Sequence, residues 1–279
     1  MTPLKLLPRS VSKVWGRRDL GLGFGEDAVP GEEPVGEIWF ETPNRDAKEL
    51  LIKYLFTSQK LSVQVHPDDV AARAAGHDRG KDECWLILAA DAGATIGLGL
   101  RTPISAEALR AAARDGSIEA MLEWRKVKAG DIYYLPAGTI HAIGAGIALI
   151  EVQQNVDLTY RLYDYGRPRE LHLNEAIGVA RRETWQAPAA ARNIAGGRRV
   201  LAEGGKFVVE LWTNSRAGRL VPKQPIWLIP ISGHGQVGAD TLGPGEVWIA
   251  EDVMALEYKG YLLIAYSGDK VADGLWNPG

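Results

Sequence analysis

The residues of this chain best suited to chemistry are two histidines, a glutamate and a glutamine in apolar surroundings. His141 ends the stretch 130–141, which reads GDIYYLPAGTIH and has the pattern G-x5-P-x-G-x2-H; Gln64, His66 and Glu83 lie upstream. Imidazole nitrogens with carboxylate or amide oxygens, and no thiolate, are typical of catalytic Zn²⁺ sites or of Mn, Fe, Co or Ni sites, and unlike closed cysteine-based structural zinc sites. The sequence therefore offers a set of ligands for one divalent metal ion with open coordination positions.

The alternation of apolar and polar residues around these positions predicts which side chains share a face of a strand. In the segment LSVQVH the side chains alternate between two faces, which places Ser62, Gln64 and His66 together. Lys81 and Glu83 likewise share one face of the following strand. Three polar groups on one face of an apolar strand are costly to bury unless a partner satisfies them. A metal ion and a polar ligand inside a β-barrel would satisfy them.

Short segments with strand patterns make up most of the chain, because 32 glycines and 15 prolines interrupt it. The predicted strands are 35–41, 50–56, 60–66, 83–89, 94–98, 131–135, 146–153, 157–163, 207–213, 225–231, 246–250 and 261–266. Helices are predicted at 67–75, at 105–124 with a break at Gly116, and at 174–182. This pattern favours a mostly β fold, a sandwich or barrel with a few short helices.

The C-terminal third resembles a faint second copy of the same unit. A change of composition at 186–200 predicts a linker between a catalytic domain, 1–185, and a second β-domain, 201–279. In the second domain LGPGEVWIA partly echoes the earlier phrase AGDIYYLPA, since both read as a turn followed by an apolar strand. The second copy has no counterpart of His141, so we expect it to be structural.

The composition excludes several classes of partner. Apolar residues make up 46% and charged residues 24% of 279 residues, which is ordinary for a globular protein, and the formal net charge is −3. A negative net charge argues against nucleic-acid or anionic-membrane binding. Cys84 is the single cysteine, so no intrachain disulfide can form, and no apolar run approaches the roughly 20 residues that span a bilayer. We therefore expect a cytoplasmic protein; Cys84 is predicted to be a small core residue.

Several phrases together resemble a known enzyme family. The stretch 130–141 is similar to the second sequence motif of the cupin superfamily, whose first motif usually has H-x-H before its glutamate. This chain has Gln64-x-His66 and a longer gap to Glu83, which resembles the type I mannose-6-phosphate isomerases, with Q-x-H-P-D and then G-K-x-E. The phrases LSVQVHPDD, GKDECW, GEIW and QNVDLTYRLYDYGR look like the short bacterial branch. The resemblance is close over roughly residues 10–175, and C-terminal to that it rests on pattern alone.

The resemblance implies a cupin-type β-barrel (jelly roll) with a second, degenerate cupin-like domain, and a set of site residues. The metal, Zn²⁺ by preference, would be bound by His66, Glu83 and His141, with Gln64 as a fourth ligand. Arg161 would be an active-site arginine. A phosphosugar pocket would include Ser62, Lys81, Glu151 and Arg167. Glu151 and Arg161 are ten positions apart, so they would share a face if one unbroken strand carried both.

The implied reaction interconverts mannose 6-phosphate and fructose 6-phosphate. It moves a proton between C1 and C2 through an enediol-type intermediate, so it needs a base and positive charge near the sugar oxygens. Glu151 and Lys81 are the alternatives for the proton carrier. Two other functions stay open: another metal-dependent cupin enzyme, and a non-catalytic sugar-binding cupin. The expected partner is a small phosphosugar, with no nucleic acid or membrane, and the chain is a monomer or a homodimer.

Overall fold

The computed structural model describes residues 2–25, 28–29, 31–44, 48–187, 189–213 and 215–278. Its strands in chain order are β1 Leu4–Lys5, β2 Leu7–Arg17, β3 Val35–Glu41, β4 Leu50–Phe56, β5 Val63–Val65, β6 Glu83–Ala90, β7 Thr95–Leu100, β8 Leu122–Lys126, β9 Ile132–Leu135, β10 His141–Ile143, β11 Ile147–Gln154, β12 Tyr160–Tyr163, β13 Arg192–Ile194, β14 Arg198–Glu203, β15 Phe207–Trp212, β16 Ser215–Leu220, β17 Ile226–Val237, β18 Asp240–Leu242, β19 Trp248–Ala250, β20 Met254–Ser267 and β21 Trp276–Asn277. The helices are α1 Asp69–Ala74, α2 Ala106–Asp115, α3 Ile118–Met121 and α4 Leu173–Val179. The mostly β fold with a few short helices is confirmed.

Three sheets form the layers of the molecule. The six-stranded sheet has the order β2-β3-β4-β11-β6-β9, and the five-stranded sheet has the order β12-β5-β10-β7-β8. A ten-stranded sheet contains β13 to β21 and, at one edge, the N-terminal strand β1, which pairs with β19. All neighbouring strands are antiparallel, so one face of each sheet can face a core while the other faces a second layer.

Strand β4 shows how the six-stranded sheet is buried on both faces. All seven of its residues, LLIKYLF, are buried. Ile52 and Tyr54 belong to a hydrophobic core that also contains Phe207 and Trp227 of the ten-stranded sheet. Leu55, on the other face, packs with the core between the six- and five-stranded sheets. The alternation of a strand therefore directs Lys53 towards the same interior as Leu55.

The five-stranded sheet is covered on its outer face by helices. Val63 and Val65 of β5 pack in one core with Leu109 of α2 and Ile177 of α4. Helix α2 begins after Ser105, whose hydroxyl accepts a hydrogen bond from the backbone N–H of Ala108 at 3.1 Å, as expected of an N-cap. With its apolar face covered, the sheet turns its polar side chains to the interior.

The structure differs from the local predictions at several places. The predicted helix 105–124 ends at Met121, and the residues from Leu122 form β8, which pairs with β7. Strand β2 was not predicted, because its burial pattern lacks a clean alternation. Within the predicted linker 186–200, β13 and the first residues of β14 pair with each other. The division into domains 1–185 and 201–279 stays a prediction, although residues of both parts share one hydrophobic core.

No helix among the described residues is long and apolar enough to cross a membrane.

Candidate active site and metal centre

A row of functional side chains runs across the five-stranded sheet. His141 of β10 lies opposite Gln64 of β5, and Gln64 lies opposite Arg161 of β12. Residues directly opposite each other on neighbouring strands point to the same face. The register therefore places two predicted metal ligands beside the predicted arginine, on the face turned away from the helices.

A second row runs across the six-stranded sheet. Glu151 of β11 lies opposite Lys53 of β4 and Trp85 of β6. Its carboxylate accepts a hydrogen bond from Trp85 Nε1 at 2.9 Å and lies 3.3 Å from Lys53 Nζ. Glu83, two residues before Trp85, shares that face of β6. The two rows line opposite walls of one interior.

His66, Glu83 and His141 converge into a buried cluster. Their candidate ligand atoms all lie within 4.8 Å of one another. Nε2 of His66 is 3.1 Å from Glu83 Oε1, and Nε2 of His141 is 3.7 Å from Glu83 Oε2. His66 Nε2 and Glu83 Oε2 are buried and have no hydrogen-bond partner among the described residues. Buried polar atoms are rarely left unsatisfied, so this donor set fits a divalent metal ion.

Gln64 lies at the edge of the cluster. Its Nε2 is 3.2 Å from His141 Nε2, and its Oε1 accepts a hydrogen bond from the Ser62 hydroxyl at 3.2 Å. A half-turn of the terminal amide exchanges its oxygen and nitrogen. Gln64 would then present the oxygen towards His141 and the cluster, as a fourth ligand requires.

Hydrogen bonds fix the orientation of both imidazoles. Nδ1 of His66 is 2.8 Å from the carbonyl oxygen of Leu158, and Nδ1 of His141 is 2.8 Å from that of Thr139. A carbonyl can only accept, so each Nδ1 carries the proton and each Nε2 is free to bind a metal. The Gly138 N–H donates a hydrogen bond to the carbonyl oxygen of His66 at 2.8 Å. This bond links the segment 130–141, which contains His141, to the strand that contains Gln64 and His66.

The charges of the cluster suit a metal-binding state. Burial, with the positive charge of Lys81, lowers the pKa of His66 to about 3, and burial also lowers the pKa of His141. Burial alone would raise the pKa of Glu83, but the charge of Lys81 and the contact with His66 hold it well below its ordinary value. Neutral imidazoles and an ionised carboxylate are the forms that bind metal ions.

Glu83 connects the cluster to a cavity of about 70 Å³, whose described lining is strongly charged and does not include His66 or His141. Of the predicted site residues, the cavity is lined by Ser62, Gln64, Lys81, Glu83, Glu151 and Arg161. Lys81 Nζ lies 3.0 Å from Glu83 Oε1. Arg167 is absent from the described lining, and its guanidinium bonds to Asp164, Gln59 and the carbonyl of Lys60.

Glu151 and Arg161 share the cavity for a different reason from the expected one. The unbroken strand that would have carried both does not exist: β11 ends at Gln154 and β12 begins at Tyr160. The two residues belong to different sheets and face the cavity from opposite walls. Their even spacing therefore has no bearing on their proximity.

Sequence reasoning missed five charged residues of the described lining: Lys13, Glu37, Lys53, Asp157 and Arg169. Lys53 carried a usable signal, because a lysine in the apolar run LLIKYLF is costly to bury without a partner. Glu37 lies 3.4 Å from Lys13 Nζ and accepts a hydrogen bond from Trp39 Nε1 at 2.5 Å. No local pattern marks these contacts, because they depend on the pairing of β2, β3 and β4.

Comparison with known proteins gives the family. No protein-family model matches the chain. The chain is 33% identical to the mannose-6-phosphate isomerase of Streptococcus mutans, over 84% of this chain and 86% of that protein. It is 38% identical to the mannose-6-phosphate isomerase ManA of Bacillus subtilis, over 73% of this chain and 70% of that protein.

Solved structures agree with the sequence relatives. The crystal structure of the mannose 6-phosphate isomerase from Bacillus subtilis superposes with a TM-score of 0.83 at 26% identity, over 95% of this chain and 100% of that chain. A mutant of phosphomannose isomerase from Salmonella typhimurium shares the fold, with a TM-score of 0.72 at 17% identity, over 96% of this chain and 100% of that chain. The sequence identity and coverage, together with this fold, show that the chain belongs to the mannose-6-phosphate isomerase family.

Proposed function

We propose that this protein interconverts mannose 6-phosphate and fructose 6-phosphate as a metal-dependent aldose–ketose isomerase. The observation that carries the proposal is the buried His66–Glu83–His141 cluster, whose Glu83 lines one cavity with Arg161 and Glu151, in a chain of this family. A non-catalytic cupin would be expected to have lost a ligand or the arginine, and this chain keeps them all.

The charge of the cavity supports an anionic sugar as the substrate. Its described lining has five cationic and four anionic side chains: Lys13, Lys53, Lys81, Arg161 and Arg169 against Glu37, Glu83, Glu151 and Asp157. The net charge of these side chains is therefore +1, and a bound divalent ion would raise the net charge of the site to +3. A phosphate ester, with about two negative charges at neutral pH, complements such a site. The protein as a whole has a net charge of −3, so the attraction is local.

Zn²⁺ is the proposed metal, held by His66, Glu83 and His141 with Gln64 as the fourth ligand. The mixed imidazole and oxygen donors, without a thiolate, are typical of catalytic zinc sites. When bound, the ion supplies Lewis-acid stabilisation of negative charge on the sugar oxygens. Arg161 is proposed to support that charge and to position the substrate, since its Nε is buried and has no hydrogen-bond partner in the described part of the chain.

Glu151 is the better supported of the two proton carriers. Burial and the neighbouring charge of Glu83 raise its pKa, and a carboxylate with a raised pKa is a stronger base. Trp85 and Lys53 orient both of its oxygens. Lys81 instead holds its ammonium group against Glu83 at 3.0 Å, where it can donate a hydrogen bond to a sugar oxygen or phosphate. Ser62 adds a hydroxyl donor to the same wall.

Substrate entry must widen the cavity. The cavity of about 70 Å³ has room for about five water molecules, and a hexose phosphate has several times as many non-hydrogen atoms. The side chain of Lys13 is partly exposed, with 29% of it accessible, and its ion-pair partner is Glu37 at 3.4 Å. Lys13 can swing outward at low cost, because a partly exposed ion pair contributes little stability.

A coupled assay tests the proposal. Fructose 6-phosphate formed from mannose 6-phosphate is followed with untreated enzyme, with chelated enzyme and after addition of Zn²⁺. We expect turnover that the chelator abolishes and the metal restores; absence of turnover with the metal restored would refute the proposed reaction. The cytoplasmic location and the monomeric or homodimeric state stay predictions.

A further inference from the structure

The segment after β12 fixes two arginines to one buried carboxylate. Asp164 is buried, and the N–H of Arg167 donates to its carbonyl at 3.0 Å across a tight turn. The two central residues of the turn, Tyr165 and Gly166, have φ of 55° and 75°. A tyrosine with positive φ is unusual and is often found where a backbone is held for function.

Arg167 uses its side chain to anchor this turn. Its Nη1 donates to Asp164 Oδ1 at 3.2 Å. Its Nη2 donates to Gln59 Oε1 at 3.1 Å and to the carbonyl of Lys60 at 2.9 Å. These bonds tie the turn to the chain that leads into β5. The guanidinium is therefore occupied by the protein and lies outside the described cavity lining.

Arg169 pairs with the same carboxylate but, unlike Arg167, lies in the lining of the cavity. Its Nε and Nη2 donate to the two oxygens of Asp164 at 2.6 and 2.7 Å, a bidentate pair that fixes the plane of the guanidinium. Nη1 makes no hydrogen bond to any described residue. The side chain lines the cavity together with Arg161, Ser62 and Thr159.

Arg161 completes this corner of the cavity. Its Nε is buried without a hydrogen-bond partner, and the described residues offer it no carboxylate within 4.0 Å. Burial and then the charge of Arg169 lower the pKa of Arg161, as expected for two cations close together. Two neighbouring guanidinium groups with unused donors form a site for an anion with several acceptor oxygens.

We propose that Arg169 binds the phosphate group of the sugar substrate together with Arg161, and that Arg167, the residue expected from the sequence, is a positioning residue of the turn. The inference rests on the proposed isomerase function. Asp164 holds Arg169 in its binding orientation, and the exposed edge of that guanidinium lets the anion approach from solvent.

The test compares two methionine substitutions that each remove one partner of Asp164. For Arg169→Met we expect the KM for mannose 6-phosphate, and the inhibition constant of inorganic phosphate, to rise about 10- to 100-fold, the worth of a charged hydrogen bond. For Arg167→Met both constants should stay within about twofold of wild type, while the thermal unfolding midpoint falls because the anchor of the turn is lost.

The proposal is overturned if Arg169→Met leaves both constants unchanged, or if Arg167→Met raises them equally. Should Arg169→Met fail to fold, Arg169→Lys keeps the charge but loses the bidentate pair, and an unchanged phosphate inhibition constant would count against the role. If the wild-type enzyme shows no turnover of mannose 6-phosphate, the proposed function fails separately. Calorimetric titration with inorganic phosphate then decides: weaker binding to Arg169→Met supports the site, and equal binding rejects it.

Discussion

Replacing Glu83 by glutamine should empty the metal site while preserving its shape. Glu83 is buried and lies 3.1 Å and 3.7 Å from the free nitrogens of His66 and His141. Glutamine has nearly the same volume but no charge, so the site loses its only anionic ligand. Loss of a residue that merely supports a ligand costs about 10- to 100-fold in metal affinity. Loss of the ligand itself should lower the metal affinity by more than about 100-fold, or about 2.7 kcal/mol of binding free energy.

The same substitution should also destabilise the metal-free protein. Lys81 is 4% exposed and lies 3.0 Å from the carboxylate that would be removed. Breaking a buried ion pair by removing one partner costs about 3–5 kcal/mol. The neighbouring Glu151 also stabilises the charge of Lys81, so the lower end of this range is expected.

Metal content and stability measure the two effects separately. Metal per chain is determined by mass spectrometry after dialysis, the affinity by competition with a chelator, and the free energy of unfolding by urea denaturation. Glu151→Gln is the matched control, because Glu151 is an equally buried carboxylate of the same cavity that lies outside the ligand cluster. Full metal content in Glu83→Gln, or equal metal loss in both variants, would refute the assignment of the ligand.

Three further predictions concern the rest of the site. Arg161→Ala should lower kcat/KM by about 100-fold or more, the effect of removing one preorganised donor, with metal content intact. Lys53→Met should move the acid limb of the kcat profile to higher pH by about one unit, because the charge of Lys53 lowers the pKa of Glu151, whose ionised form is lost as the pH falls. Gly138→Ala should cost about 1–2 kcal/mol of unfolding free energy in urea, since φ is 87° there.

A specific result would contradict each of these three predictions. An active Arg161→Ala enzyme would remove the arginine from the mechanism, and lost metal would point to misfolding instead. An unmoved acid limb in Lys53→Met would mean that Glu151 does not control the reaction. Unchanged stability of Gly138→Ala would show that the turn can relax, although an added Cβ would lie 2.9 Å from the side chain of Arg181 and 3.0 Å from the carbonyl of Val179.

Features that depend on local spacing could be predicted from the residues alone. Strand alternation placed Ser62, Gln64 and His66 on one face, because the period of a strand is two whatever its neighbours are. The mostly β class followed from the frequent glycines and prolines between short apolar segments. The candidate ligands His66, Glu83 and His141 were likewise visible in the sequence, since polar residues in apolar strands must have a reason to be buried.

Features that depend on which distant segments meet could be seen only in the folded chain. Lys53 and Glu151 became partners because β4 and β11 pair in one register, and Leu122 left a helical pattern for a strand because β7 offers an edge. Arg169 lines the cavity and Arg167 does not, because both pair with one buried carboxylate, Asp164, next to the turn at Tyr165 and Gly166. Such contacts arise between residues distant in sequence or from a single backbone conformation, and no periodicity in the chain encodes them.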